Sequence, residues 1–188
     1  MRFFIGIIAA LMLAAGLYYG TSSDPAPAYA LDGKPADPLA SEKPVLLLFT
    51  RDDCPISNRY APEVQRLYAR FADTVDFYLV YPDPNTDADA IQTHLHEYGY
   101  AIPALRDPDH ALVDLSAATI TPEAALYLPG QQLIYRGRID NRYVEFGTTR
   151  PRATQHDLHD ILAALEAGET PDSLRTTEAV GCYIADLK

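Results

Sequence analysis

The sequence predicts an α/β fold in which a central mixed sheet is flanked by helices. Two apolar runs, 45–49 and 75–81, lie on either side of a segment with helical periodicity. This order is typical of a parallel strand–helix–strand unit. Two further apolar runs, 123–128 and 132–136, are joined by the Pro-Gly pair 129–130, which indicates a tight turn and an antiparallel hairpin.

The first 30 residues have the pattern of a targeting segment. Arg2 precedes 17 uncharged, mainly apolar residues at 3–19, and Ala28-Tyr29-Ala30 has the form of an A-x-A cleavage site. The apolar run is also just long enough for a retained membrane anchor, so cleaved signal peptide and anchor both stay open. Either outcome predicts a periplasmic or extracytoplasmic protein, secreted or held at the inner membrane through residues 3–19.

The remaining chain is predicted to form one domain between two less regular segments. Residues 31–43 are rich in Pro, Ala, Asp and Ser and are predicted to be a linker. Residues 44–168 provide about 125 positions, which suits a single hydrophobic core. Residues 169–188 form a C-terminal tail that contains Cys182.

The first strand and helix of the domain meet at a cysteine. The run 45–49 is apolar at every position, as in a strand buried on both faces. Cys54-Pro55 then opens a helix whose apolar residues recur at helical spacing as far as Phe71, and proline suits the first helical turn. Pro62 lies inside this pattern and predicts a kink or a second helix start.

Alternating strands and helices are predicted for the rest of the domain. In order, these are a strand at 75–81, a helix at 87–98, a short strand at 104–107, a helix at 110–118, the hairpin at 123–136 and a final helix at 155–167. The Arg-rich segment 140–154 is predicted to be a loop.

Composition and charge exclude several classes of function. The formal net charge of −11 disfavours binding to a phosphate backbone. The two cysteines, Cys54 and Cys182, are too few for a disulfide scaffold or a zinc site with four thiolates. No Cys-x-x-Cys-His haem motif is present. We therefore predict no cofactor, no metal site and no nucleic-acid partner.

Cys54 is the strongest candidate for a reactive group. At a helix start, free N–H groups and the helix dipole stabilise a thiolate. The neighbouring Asp52 and Asp53 would raise the pKa of the thiol, whereas Arg51 and Arg59 would lower it. The sequence leaves the sign of the net shift open, and a buried, inert cysteine is the alternative.

Phe49-x-x-x-x-Cys54-x-x-Ser57 resembles the strand–loop–helix motif of the thioredoxin superfamily, with Ser57 in place of the second cysteine. Thr121-Pro122, before a strand, resembles the cis-proline loop that faces the active-site thiol in that superfamily. This likeness implies a thioredoxin-like fold. With a serine at 57, a disulfide within the motif is impossible, and Ser57 is either a hydrogen-bond donor to the thiolate or a plain helix serine.

The insertion between Pro82 and Ala118 is similar to that of the redoxin branch, which holds extracytoplasmic thiol–disulfide proteins and peroxiredoxins. In all, the resemblance covers about residues 39–168 and implies an inserted strand and helix before the cis-proline loop. The peroxiredoxin pattern has Thr or Ser three residues before its cysteine and a proline further back. Arg51 and Leu47 stand at those positions, so peroxidase chemistry is disfavoured.

Cys182 is the second candidate thiol. It follows Gly181 and precedes two apolar residues, a pattern that favours a docked tail. If the tail folds back, Cys182 can resolve a mixed disulfide or a sulfenate on Cys54. A permanent Cys54–Cys182 disulfide, pairing with another molecule and two independent free thiols all stay open.

The resemblance implies a thiol–disulfide oxidoreductase acting on a protein or small-molecule thiol or disulfide. Cys54 would be the nucleophile, Cys182 its resolving thiol, and Thr121 and Pro122 would hold an extended substrate by backbone pairing. A non-catalytic interaction module closed by a structural disulfide is one alternative. The other is a copper carrier similar to the Sco-type chaperones, with Cys54, Cys182 and a histidine as ligands, although Asn58 replaces the second cysteine of that motif.

Overall fold

A computed structural model describes residues 28–185 of the 188-residue chain. The strands are β1 (Ala28–Ala30), β2 (Pro35–Ala36), β3 (Val45–Phe49), β4 (Asp76–Tyr81), β5 (Ala104–Arg106), β6 (Ile120–Thr121), β7 (Glu123–Leu128), β8 (Gln132–Gly137), β9 (Tyr143–Glu145), β10 (Thr148–Thr149), β11 (Arg175–Thr176) and β12 (Cys182–Tyr183). The helices are α1 (Pro55–Phe71), α2 (Ala88–Glu97), α3 (Ala111–Ser116) and α4 (Asp157–Glu166), with a 3-10 helix at Pro38–Ala40.

Eight of these strands form one mixed sheet with β3 near its centre. The strand order is β11-β8-β7-β3-β4-β5-β1-β2. β3 runs parallel to β4 and antiparallel to β7. The predicted strand–helix–strand unit and the predicted hairpin are therefore both present, and β3 is the strand that they share.

The sheet separates two hydrophobic clusters, because successive side chains of a strand point to opposite faces. On β3, Leu46 and Leu48 face the cluster that contains the buried sides of α1 and α4. Leu47 and Phe49 belong to the other cluster, which includes α3. The prediction of a central mixed sheet flanked by helices is confirmed.

α1 runs without interruption through Pro62, so the chain has no second helix start there. Pro62 lacks the N–H that an interior helical residue donates. The helix nevertheless buries Tyr60, Val64 and Leu67, which follow one another on a single face. Burial of this face, at about 1.5–3 kcal/mol for a large apolar side chain, outweighs the loss of one backbone hydrogen bond.

The folded unit begins earlier than the boundary predicted at residue 44. β1 pairs with β5 in the main sheet, and Ala28 is fully buried. The segment 31–43, predicted to be a linker, contains β2 and the 3-10 helix, in which Leu39 is also buried. Its Pro and Asp residues signal turns correctly, but such short strands carry no periodicity of their own.

The chain also has ordered structure after residue 139 that was not predicted. β9 and β10 form a hairpin within the predicted loop 140–154. Beyond α4, β11 adds a parallel strand at the edge of β8, and β12 pairs with β6. The C-terminal tail therefore returns to the sheet.

The predicted targeting stretch, residues 3–19, lies outside the described residues. Across 28–185, no helix is both long and apolar enough to cross a membrane.

We predict that Ala28→Asp lowers the free energy of unfolding by about 2–4 kcal/mol, because an uncompensated charge would be buried in β1. The matched control is Ala40→Asp, at an exposed position of the 3-10 helix, which should change stability by less than about 0.5 kcal/mol. Urea unfolding of both variants measures the difference. Equal, small effects would show that β1 is not part of the folded unit.

Candidate active site

The register of β3 against β7 brings two loops together. Phe49, the last residue of β3, lies opposite Glu123, the first residue of β7. The chain that leaves β3 toward Cys54 therefore lies beside the chain that enters β7 through Thr121 and Pro122. The Thr121–Pro122 peptide bond is cis, as the resemblance implies.

Cys54 is the N-cap residue of α1 and is fully buried. Its carbonyl accepts the first helical hydrogen bond, from the Asn58 N–H at 3.0 Å. Its Sγ lies 3.2 Å from the carbonyl oxygen of Thr121, to which the thiol donates. The start of α1 therefore places the sulfur against the cis-proline loop. It also places the sulfur close to the first helical turn, whose N–H groups have no partner within the helix.

Cys182 reaches Cys54 from the C-terminal tail. β12 pairs antiparallel with β6, and this register sets Cys182 opposite Thr121. The Sγ atoms of Cys54 and Cys182 are 2.6 Å apart, and both residues are free thiols. Since a disulfide bond is about 2.05 Å long, the two sulfur atoms lie close to bonding distance, and a two-electron oxidant such as another disulfide would be needed to join them.

Ser57 stands one helical turn after Cys54 and is 2% exposed. Its hydroxyl oxygen has no hydrogen-bond partner among the described residues. Both its hydroxyl and its backbone N–H act on Cys54 to favour the thiolate. A buried hydroxyl without another partner is free to donate to a charged sulfur.

The environment separates the pKa values of the two thiols. Burial acts to raise the pKa of Cys54, but hydrogen bonds from Cys182, Ser57 and Thr121 outweigh burial, so that the pKa is lowered. The pKa of Cys182 is raised to about 12. Burial is the largest cause, and the hydrogen bond to Cys54 and the negative charge of the Cys54 thiolate act in the same direction. Of the two thiols, Cys54 is therefore the one that loses its proton first, and Cys182 keeps its proton to higher pH.

Of the acidic residues beside Cys54, Asp53 is paired with Arg51. The Arg51 guanidinium lies 2.8 Å from the Asp53 carboxylate and 3.4 Å from that of Asp83. It also acts to lower the pKa of Cys182. The sequence left the sign of the Cys54 pKa shift open because the hydrogen bonds that lower this pKa, from Cys182, Ser57 and Thr121, arise only in the fold.

Gly181, which the sequence analysis placed in a docked tail, has a further role in the site. A Cβ there would fall well inside contact distance of the Thr121 carbonyl oxygen. A glycine directly before a cysteine is the only local hint of this close approach.

A buried polar chain also supports the loop before Cys54. Tyr81 Oη lies 2.7 Å from His94 Nδ1, and His94 Nε2 lies 2.8 Å from Asn58 Oδ1. The Asn58 side-chain amide donates to the Asp52 carbonyl oxygen at 2.7 Å. Burial lowers the pKa of His94, so its neutral form, with Nε2–H donating to Asn58, fits this chain. The helical spacing of His94 gave no indication of this contact.

Within residues 28–185, no group of three or more His, Cys, Asp or Glu side chains is placed to hold a metal ion. His94, the histidine linked to α1 near the site, is already engaged on both ring nitrogens. A third ligand for the copper site considered above is therefore not found beside Cys54 and Cys182.

Comparison with known proteins identifies the fold. A family model described as "AhpC/TSA family" matches residues 30–139. No curated protein matches the chain. An uncharacterised conserved protein of Geobacillus kaustophilus has a similar structure, with a TM-score of 0.65 and 22% identity over 85% of this chain and 89% of that one.

Two solved structures of oxidoreductases are also similar. One is a secreted disulfide oxidoreductase of Mycobacterium tuberculosis homologous to E. coli DsbE, with a TM-score of 0.51 and 21% identity over 75% of this chain and 93% of that one. The other is the thioredoxin domain of a thiol-disulfide oxidoreductase from Bacteroides vulgatus, with a TM-score of 0.53 and 16% identity over 75% and 94%. The predicted thioredoxin-like fold is thereby confirmed.

We predict that the reduced protein titrates in two separate steps when thiolate absorbance is followed in the ultraviolet. The first thiolate forms below the ordinary thiol pKa of 9.0, and the second forms only near pH 12. Ser57→Ala should move the first step to higher pH, because the thiolate loses a donor. Ser173→Ala, at an exposed position, is the control and should leave both steps unchanged. An unmoved first step in Ser57→Ala would contradict the role of this hydroxyl.

Proposed function

Because the chain belongs to the AhpC/TSA family, we propose that it is an extracytoplasmic thiol–disulfide oxidoreductase with Cys54 as its nucleophile and Cys182 as its resolving thiol. The observation that carries this proposal is the 2.6 Å separation of the two sulfur atoms beside the cis-proline loop. Structural neighbours of the same fold are thiol-disulfide oxidoreductases, which supports the same class of reaction. Its substrate would be a disulfide of a protein or small molecule.

In the first step, the Cys54 thiolate attacks one sulfur of a substrate disulfide. A bond forms between Cys54 and that sulfur, and the other substrate sulfur leaves as a thiolate. The lowered pKa of Cys54 favours the thiolate, which is the nucleophile. Ser57 stabilises the negative charge on this sulfur before the attack. Thr121 and Pro122 would align an extended substrate beside the sulfur.

In the second step, Cys182 attacks the sulfur of Cys54 and releases the substrate as a thiol. The proton of Cys182 passes to the departing substrate sulfur, so that the protein dithiol is oxidised and the substrate disulfide reduced. Two causes that raise the pKa of Cys182, the hydrogen bond to Cys54 and its charge, vanish once Cys54 is in a mixed disulfide. Cys182 therefore becomes a better nucleophile when it is needed. An external dithiol would return the protein to its reduced form.

A non-catalytic module is the second candidate function, and the complete burial of Cys54 favours it. In that case the Cys54–Cys182 disulfide would form once and stay closed. The two functions differ in whether Cys54 exchanges with a substrate disulfide.

We predict that Cys182→Ser accumulates a mixed disulfide when the reduced protein is mixed with a disulfide substrate such as insulin, because nothing resolves Cys54. Cys54→Ser should form none and should reduce insulin no faster than the uncatalysed reaction. Non-reducing electrophoresis and mass spectrometry detect the adduct, and Ser173→Ala is the control. If Cys182→Ser forms no adduct with any disulfide, even when Ile184→Asp is added to release the tail, the protein is not an oxidoreductase and the closed module stands.

The proposed location rests on the apolar stretch 3–19, which follows Arg2. Ala28 is fully buried in β1, and Ala30 lies opposite Leu105 of β5. Cleavage after Ala30 would remove β1 from the sheet. We therefore propose that β1 stays in the exported chain.

We predict that the exported protein, isolated and analysed by intact mass, begins at or before Ala28. The reason is that loss of β1 would leave the edge of β5 without its partner. A mature chain beginning at Leu31 would contradict this prediction, and a chain retained in the cytoplasm would contradict the location.

A further inference from the structure

We infer that the tail strand β12 occupies the edge of β6 where substrates bind, and that its sequence resembles that of the preferred substrate. The segment Gly181-Cys182-Tyr183-Ile184 then defines the substrate class. It is an extended polypeptide with glycine before its reactive cysteine and an aliphatic residue two positions after it. This inference rests on the proposed oxidoreductase function and adds a substrate selectivity to it.

Backbone contacts hold the tail on the edge of β6. Cys182 lies opposite Thr121, and Tyr183 lies opposite Ile120, in an antiparallel register. The Ile184 N–H donates to the Thr119 carbonyl oxygen at 3.0 Å, and the Thr121 hydroxyl donates to the Cys182 carbonyl oxygen at 3.4 Å. These contacts involve main-chain atoms of the tail, so any extended peptide with the same backbone course can make them.

The glycine requirement comes from the approach of the tail to β6. A Cβ at position 181 would overlap the Thr121 carbonyl oxygen and the Ile120 side chain. Thr121 cannot withdraw, because it is fully buried and its carbonyl oxygen also accepts from Cys54. A peptide with any larger residue before its cysteine would be held further from Cys54.

The aliphatic requirement comes from Ile184, which is 4% exposed. Its side chain joins the cluster around Phe49 and Leu112. A small cavity beside it is lined by Arg51, Pro82 and Pro84. A charged residue at this position would lose apolar burial, whereas Ile gains it.

Tyr183 shows that the position between the cysteine and the aliphatic residue is not selected. Its side chain is 77% exposed, and its carbonyl oxygen accepts from the Arg51 guanidinium at 3.4 Å. Substitution there should leave the docking of the tail unchanged, which makes Tyr183 a matched control for Ile184.

The docked tail and a substrate exclude each other. Cys54 is fully buried beneath β12, so a substrate sulfur reaches it only after the tail has left. β12 is held by the pairing of two residues on each strand. A peptide with the same features therefore competes with the tail for one edge.

The experiment uses the full chain with Cys182→Ser, which stops resolution, and two independent substitutions that release the tail, Gly181→Val and Ile184→Asp. Peptides carrying Gly-Cys-Tyr-Ile, Ala-Cys-Tyr-Ile or Gly-Cys-Tyr-Asp are supplied as mixed disulfides with thionitrobenzoate. Attack of the Cys54 thiolate on the peptide sulfur forms the Cys54–peptide disulfide and releases the coloured thionitrobenzoate anion, so electrons balance without another reagent.

In both released variants, the Gly-Cys-Tyr-Ile peptide should react about tenfold or more faster than the other two peptides. It should react more slowly with Cys182→Ser alone and with Cys182→Ser/Tyr183→Asp, in which the tail stays docked. Equal rates for the three peptides in both released variants would overturn the selectivity and leave the oxidoreductase function standing. No reaction of Cys54 with any of them, or with the free thionitrobenzoate dimer, would instead overturn the proposed function and the selectivity together.

Discussion

The antiparallel register of β3 against β7 is the constraint on which the site depends. With Phe49 opposite Glu123, the start of α1 and the cis-proline loop meet at one end of the sheet. A slip of one residue would exchange the faces of every side chain on β7, since strand side chains alternate. Because β3 is buried on both faces and supplies both hydrophobic clusters, the two cores together fix this register.

Thr121 joins the three parts of the site. Its carbonyl oxygen accepts from Cys54, its backbone lies opposite Cys182, and its approach to the tail admits only glycine at 181. A single peptide unit thus sets the distance between the two thiols. The chemistry then follows from asymmetry, since the helix start and Ser57 favour charge on one sulfur while burial disfavours charge on the other. If both thiols had the same surroundings, neither would be favoured as the nucleophile.

The sequence allowed the central elements to be predicted because each has its own periodicity or turn signal. β3, α1 and the hairpin at 123–136 lie within a residue or two of their predicted bounds. β1 and β12 were missed for one reason. A strand of two or three residues is too short for a pattern, and only its distant partner makes it a strand. The placement of Cys182 against Cys54, 128 residues away, is likewise a property of the whole fold.

The tail is the part of the site that local sequence describes least and the part that governs access to it. β11 and the side chain of Thr177 anchor the tail to β8 and its following turn, some residues before the site. Beyond this anchor, only the short pairing of β12 and the burial of Ile184 hold it down. Segments with few buried contacts open at lower free energy than the core. A tethered strand of this kind can leave and return without unfolding the domain, so Cys182, which closes the site, stays near enough for the resolving role that we propose.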